Sequence, residues 1–246
     1  MPDWVADKVA RLERLRAAKA ALEAEAKLPP PDQDDDGPGP SSGMQKRGMP
    51  QRGPDGGPPD RAQRNFTDPD SRLQPTRGGG VLQGYNAQIA VDGAHQVIVA
   101  QRLQTSPNDR RGLKPLLTAT RRALHRNPRE VSADTGFCEE ANLAHLARRR
   151  IVAYIAPGRT RHDGTSSTGK RRWRTAPRVT AMALKLRRAG RRSRYRLRKQ
   201  IVEPVFGQIK QARGFRQFLL RGLDKVRGEW ALICTTHNLL KLAAAS

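Results

Sequence analysis

The chain has 246 residues, 36% of them hydrophobic and few of them aromatic, so beyond a polar opening stretch it can bury one lean core of ordinary size. Two cysteines without a partnering CxxC or Cys/His spacing support neither a zinc site nor a disulfide framework, and no apolar run reaches the length of a membrane span or a signal peptide. The net charge of +24 is unevenly placed: residues 1–60 hold 9 Lys/Arg against 11 Asp/Glu and the rest 38 against 12, an excess of +26 that attracts a polyanion by long-range field and counterion release.

In chain order, Trp4 to Ala26 is a helical pattern with a thin stripe of Leu12, Leu15 and Leu22, suited to a solvated helix or a short coiled coil. From Pro29 to about Arg64 the composition turns to Pro, Gly, Asp, Ser and Gln, which predicts a disordered linker. The folded part is expected to begin near Val81. Val81 to Val91 and Gln96 to Leu103 are β-prone runs around Asp92-Gly93-Ala94-His95, a hairpin signal that makes Asp92 a turn residue rather than a metal ligand. Arg110 to His125 carries Leu113, Leu116, Leu117, Ala123 and Leu124 at helical spacing. Glu130 to Ala133 reads as a short strand, Glu139 to Arg149 as a helix with Leu143 and Leu146 inward, and Ile151 to Ala156 as another strand. Strands alternating with helices imply parallel pairing after the hairpin.

Asp134 stands at the end of the Glu130–Ala133 strand, before a Gly-containing turn. Open α/β folds place ligand-binding chemistry there, which makes Asp134 a candidate metal ligand, while an N-cap or turn role suits an Asp equally. Arg159 to Arg198 holds 15 Lys/Arg and one acid, Asp163. It is expected to form a loosely packed basic excursion, with Arg171, Arg172 and Arg198 among its cations and Trp173 and Tyr195 placed to stack on bases.

Tyr195, Lys199, Glu203 and Lys210 follow as Y-x3-K-x3-E-x6-K. Residues four apart share a helical face, so an aromatic ring, a cation and a carboxylate would lie together, either as a phosphate-handling face or as an exposed charged helix. Pro204 predicts a kink there, or a helix starting near Glu203. Asp224 to Leu242 reads as an apolar helix with Trp230, Leu232, Ile233, Leu239 and Leu240, and His237 as a packed or capping histidine.

Five segments, NFTDPDSR at Asn65 to Arg72, GYNAQIAVD at Gly84 to Asp92, ADTGFCEEANL at Ala133 to Leu143, EPVFGQIK at Glu203 to Lys210 and RGLDKVRGEWALICTTHNLLKL at Arg221 to Leu242, stand in an order that resembles bacterial insertion-sequence transposases of the DDE type. The resemblance covers roughly Asn65 to Leu242. It implies an α/β, ribonuclease H-like mixed sheet with flanking helices, a triad of two Asp and one Glu, two magnesium ions, and a bacterial, nucleoid-associated protein in the cytoplasm. Residue by residue, the second Asp falls on Asp134 and the Glu on Glu203. Tyr195, Lys199 and Lys210 match the tyrosine and basic positions, although the family more often has Arg where Lys199 stands.

The family's first Asp lies in an opening strand ahead of the segment similar to Asp68–Arg72, and no apolar strand precedes Asn65 here. The chain is therefore expected to correspond to the carboxy-terminal portion of such a transposase, lacking its first strand and first Asp. Asp68 and Asp70 are the candidate substitutes, although proline between them favours a turn. Partners implied are double-stranded DNA at transposon ends, a second copy, or a full-length transposase that a noncatalytic chain would inhibit. A basic RNA-binding protein is the remaining alternative, and it explains none of the ordered motifs.

Overall fold

The computed structural model describes residue 5 and residues 7–27, 57–58, 62–76, 79–157, 176–190 and 193–245. They belong to two compact units, Met1–Gly84 and Tyr85–Ser246. Most of the expected linker, and Arg171, Arg172 and Trp173, lie outside the described residues.

In the first unit, helix α1 (Lys8–Lys27) buries none of its residues, as its thin stripe foretells. Strands β1 (Arg72–Pro75) and β2 (Val81–Gly84) form an antiparallel hairpin, so ordered strand begins before Val81. The expected run from Val81 to Val91 is two strands, separated at Tyr85. Glu25 binds both Arg64 and Arg72, at 2.6 and 2.7 Å.

The second unit opens with an antiparallel hairpin of β3 (Asn86–Val91) and β4 (Ile98–Gln104). Its turn is built as the Asp-Gly signal predicts: Asp92 Oδ2 accepts the backbone N–H of Ala94 and His95 at 3.1 and 2.9 Å. The His95 N–H, above all, holds the Asp92 carboxyl below its ordinary pKa. A 3₁₀ turn (Asp109–Gly112) leads into α2 (Leu113–Leu124), which lies against β4 and buries Leu113, Leu116 and Leu117. Ala123 and Leu124, which share the helical spacing, are exposed at the end of the helix.

Strand β5 (Glu130–Ala133) pairs in parallel with β6 (Val152–Ile155), and helix α3 (Glu140–Arg148) connects them with Leu143 and Leu146 buried. The two strand pairs of this unit are separate sheets.

Of the basic stretch, residues 159–175 and 191–192 lie outside the described residues, and the part described from Pro177 is packed. Residues Pro177–Ala189 form helix α4, and its Val179 and Met182 enter the same core cluster as Leu117, Leu146 and Ile155. Glu140 caps the start of α4, its carboxylate accepting the backbone N–H of Arg178 and Val179 at 3.0–3.1 Å. Lys185 Nζ donates to the Ala153 carbonyl at 2.9 Å and lies 4.1 Å from the Tyr154 ring centroid. A long cation can serve a core helix in this way, its stem packed and its head on a strand carbonyl.

Helix α5 (Arg198–Gly207) passes through Pro204 and continues as a π segment (Gln208–Ala212). It therefore starts before Glu203 and does not stop at the proline. The missing Pro204 N–H leaves the Gln200 carbonyl without its helical donor, and Gln96 Nε2 in the hairpin turn supplies the bond at 2.9 Å. Gln96 also accepts from His237 Nε2 through its carbonyl and from Lys241 Nζ through its side chain, both at 2.9 Å. The neighbouring Asn238 amide grips the N–H and C=O of Ile98, each at 2.8 Å. This network seats α5 and α6 (Leu223–Ala243) on the hairpin.

Helix α6 buries Val226, Trp230, Ile233, Cys234 and His237. Leu232, Leu239 and Leu240 of the same apolar pattern are 54–69% exposed, because one stripe satisfies a helix packed on one side. His237 is a packed histidine, 1% exposed, with Nδ1 2.8 Å from Arg213 Nη2. No described helix is long and apolar enough to cross a membrane.

Candidate functional site: a carboxylate pair around an arginine

Asp134 follows the last residue of β5, and its backbone is extended as the strand gives way to a 3₁₀ turn (Thr135–Phe137). Its Oδ1 accepts the Thr135 N–H at 2.7 Å, the capping role that an Asp before a turn suggests. Its Oδ2 is left for another partner, Arg198 Nη1 at 3.3 Å. One carboxylate thus fills the capping role and adds an ion pair to a cation.

Glu203 reaches the same guanidinium from the other side, Oε1 lying 3.8 Å from Arg198 Nη2. Two carboxylates 69 residues apart in sequence, one from a strand end and one from a helix, converge on a single cation. The Arg198 side chain is 19% exposed while Asp134 and Glu203 are 57% and 55% exposed. The acids face solvent and the cation sits beneath them. Arg198 Nε is buried with no hydrogen-bond partner among the described residues, so the acids pair with the two ends of the guanidinium and leave its root unpartnered.

The arginine is placed by local backbone. Ser193 Oγ accepts the Tyr195 N–H and starts a 3₁₀ turn (Arg194–Leu197) that runs into α5. With three residues per turn, Tyr195 stacks above residue 198 rather than 199. Arg198 Cζ accordingly lies 5.4 Å from the Tyr195 ring centroid. Tyr195 therefore meets Arg198, while Lys199 and Glu203 stand four residues apart on α5. Lys199 is exposed on the first turn of α5, and Lys210 is exposed on the π segment with Nζ 5.3 Å from the Phe206 ring. Residues 193–200 line a cleft of about 620 Å³ beside the pair.

Asp109, which the sequence reading passes over, braces the Asp134 turn. Its Oδ1 accepts from Asn86 Nδ2 and Gln88 Nε2 on β3, at 2.7 and 2.9 Å. On its other side, a Cβ added at Gly136 would lie 2.6 Å from Asp109 Oδ2. The signal available was an Asn-Asp step ahead of a helix, and it reads as a cap.

Asp68 and Asp70 belong to the first unit, where Asp68 is buried and its carbonyl accepts from Ser71 Oγ at 2.8 Å. Among the described residues, no group of three or more His, Cys, Asp or Glu side chains is gathered as a metal site would require.

A family model described as transposase DDE domain matches residues 61–239. No curated protein and no solved structure matches the chain.

Proposed function

The chain belongs to the transposase DDE domain family, and on that premise we propose that it serves DNA transposition by holding transposon ends, with strand cleavage and joining weakened. The observation that carries this reading is the convergence of Asp134 and Glu203 on Arg198, from elements far apart in sequence. The order of hairpin, helix, strand, helix, strand and a later helix bearing a carboxylate suits a ribonuclease H-like sheet. The separation of β3–β4 from β5–β6 is what such a sheet leaves when no strand lies between β3 and β5.

The family generally uses divalent metal ions, which neutralise charge at a phosphodiester and activate the attacking oxygen. The described residues do not fit a two-ion site. Two carboxylates converge, a third acid is not gathered with them, and a guanidinium stands between the two. Phosphate binding asks less of the site. Lys199 and Lys210 are exposed on one continuous helical segment, and a cleft opens beside Tyr195. The basic excess of residues 61–246 supplies the sequence-independent attraction for double-stranded DNA. A protein of this kind could also join a fully active copy and inhibit it, and the arginine between the acids favours that second role.

The experiment is a binding titration of the purified chain against transposon-end duplex, unrelated duplex and RNA across a range of salt. Contacts to about six phosphates give a log–log salt slope near −5, with the end duplex bound tightest. Binding indifferent to salt, or RNA preferred over every duplex, would refute the proposal.

A further inference from the structure

We infer that Arg198 is an internal counterion that holds Asp134 and Glu203 in place of a divalent cation, so that removing its charge opens a cation site on the pair. The inference rests on reading these two acids as the metal-facing residues and goes beyond it by assigning what fills their midst. Three observations carry it. The guanidinium touches both carboxylates, at 3.3 and 3.8 Å, so any ion placed between the acids would meet a positive charge at close range. Arg198 lies against the Tyr195 ring and is largely buried, whereas both acids are more than half exposed. The position is fixed by backbone as well, because the Ser193-capped 3₁₀ turn sets residue 198 rather than 199 over Tyr195.

The physical consequence is competition. Two carboxylates with no cation between them repel, and the guanidinium that faces both relieves this. A hard dication could take its place only by expelling it, and the pair alone offers too few oxygens to drive that exchange. With Arg198 neutral, the same two acids become an unbalanced pair of negative charges.

The test uses the full chain and Mn2+ alone, without DNA, so that its outcome is independent of whether transposon ends are bound. Free Mn2+ is followed by electron paramagnetic resonance for wild type, Arg198→Gln and Arg198→Met, with folding checked by circular dichroism. The methionine variant keeps an unbranched stem against Tyr195 should the glutamine variant fail to fold. Either neutral variant is expected to bind Mn2+ at least about tenfold more tightly than wild type, and adding Asp134→Asn or Glu203→Gln should abolish the gain. Wild type binding Mn2+ as tightly as the neutral variants would overturn the inference. So would a gain that survives loss of either acid.

Discussion

Gly136→Ala tests whether the turn that carries Asp134 is braced by Asp109. Gly136 has an ordinary φ, so the substitution brings no backbone penalty and acts by volume alone. The new methyl carbon would lie 2.6 Å from Asp109 Oδ2, 3.0 Å from its Cβ and 3.2 Å from its Cγ. Asp109 cannot give way cheaply, because its carboxylate is tied to Asn86 and Gln88 at 2.7 and 2.9 Å and its Cβ is part of the clash. Overpacking of this kind costs about 2 kcal/mol, which for a domain of this size lowers Tm by roughly 4–8 °C. The assay is urea unfolding of a double-mutant cycle, Gly136→Ala, Asp109→Ala and the pair. Removing the carboxylate first makes room for the methyl, so the cycle is expected to show a coupling of more than about 1 kcal/mol. Additive effects, or Gly136→Ala within about 0.3 kcal/mol of wild type, would refute the brace.

Asn238→Ala breaks both amide bonds to Ile98 and leaves that backbone N–H and C=O without partners, so unfolding should shift by about 2 kcal/mol; a change under about 0.5 kcal/mol would contradict the anchoring role. Burial, followed by repulsion from Arg213 and Lys241, holds the His237 pKa below its ordinary 6.5, and burial does the same to His145. The unfolded chain therefore takes up these protons first: the stability they contribute is complete above about pH 6.5 and falls as pH drops through and below that value, by at most about 1.4 kcal/mol per pH unit for each histidine. Chemical denaturation from pH 8 to 5 measures this, and His237→Gln should flatten the slope. Burial pushes the Cys234 thiol up to about 12, so at pH 8 a thiol reagent should label half-buried Cys138 and reach Cys234 only on unfolding.

The hairpin turn was legible because Asp-Gly between β-prone runs has one economical conformation, and Asp92 caps it as its chemistry suggests. Strand β5 and the inward Leu143 and Leu146 were legible from periodicity, and the place of Asp134 from the strand end. Helix α4 was hidden by charge: Val179, Met182 and Leu186 make a core stripe at i, i+3 and i+7, but the cations around them set the composition. Helix α6 is apolar on several sides, and its partner decides which stripe is buried. Arg198 between the acids could not be read from residue spacing. Its register depends on a 3₁₀ turn started by Ser193, and one residue of slippage exchanges Lys199 for Arg198. The passage of α5 through Pro204 likewise depends on Gln96, more than a hundred residues earlier, supplying the missing donor.

The most direct measurement is metal-dependent nicking of transposon-end DNA by the full chain in Mg2+ or Mn2+, beside Glu203→Gln as the control. The account predicts that wild type holds the DNA yet nicks it no faster than the control. Robust metal-dependent nicking that the Glu203→Gln chain loses would contradict it, and would mean that another carboxylate, Asp68 or Asp70 first, completes the site.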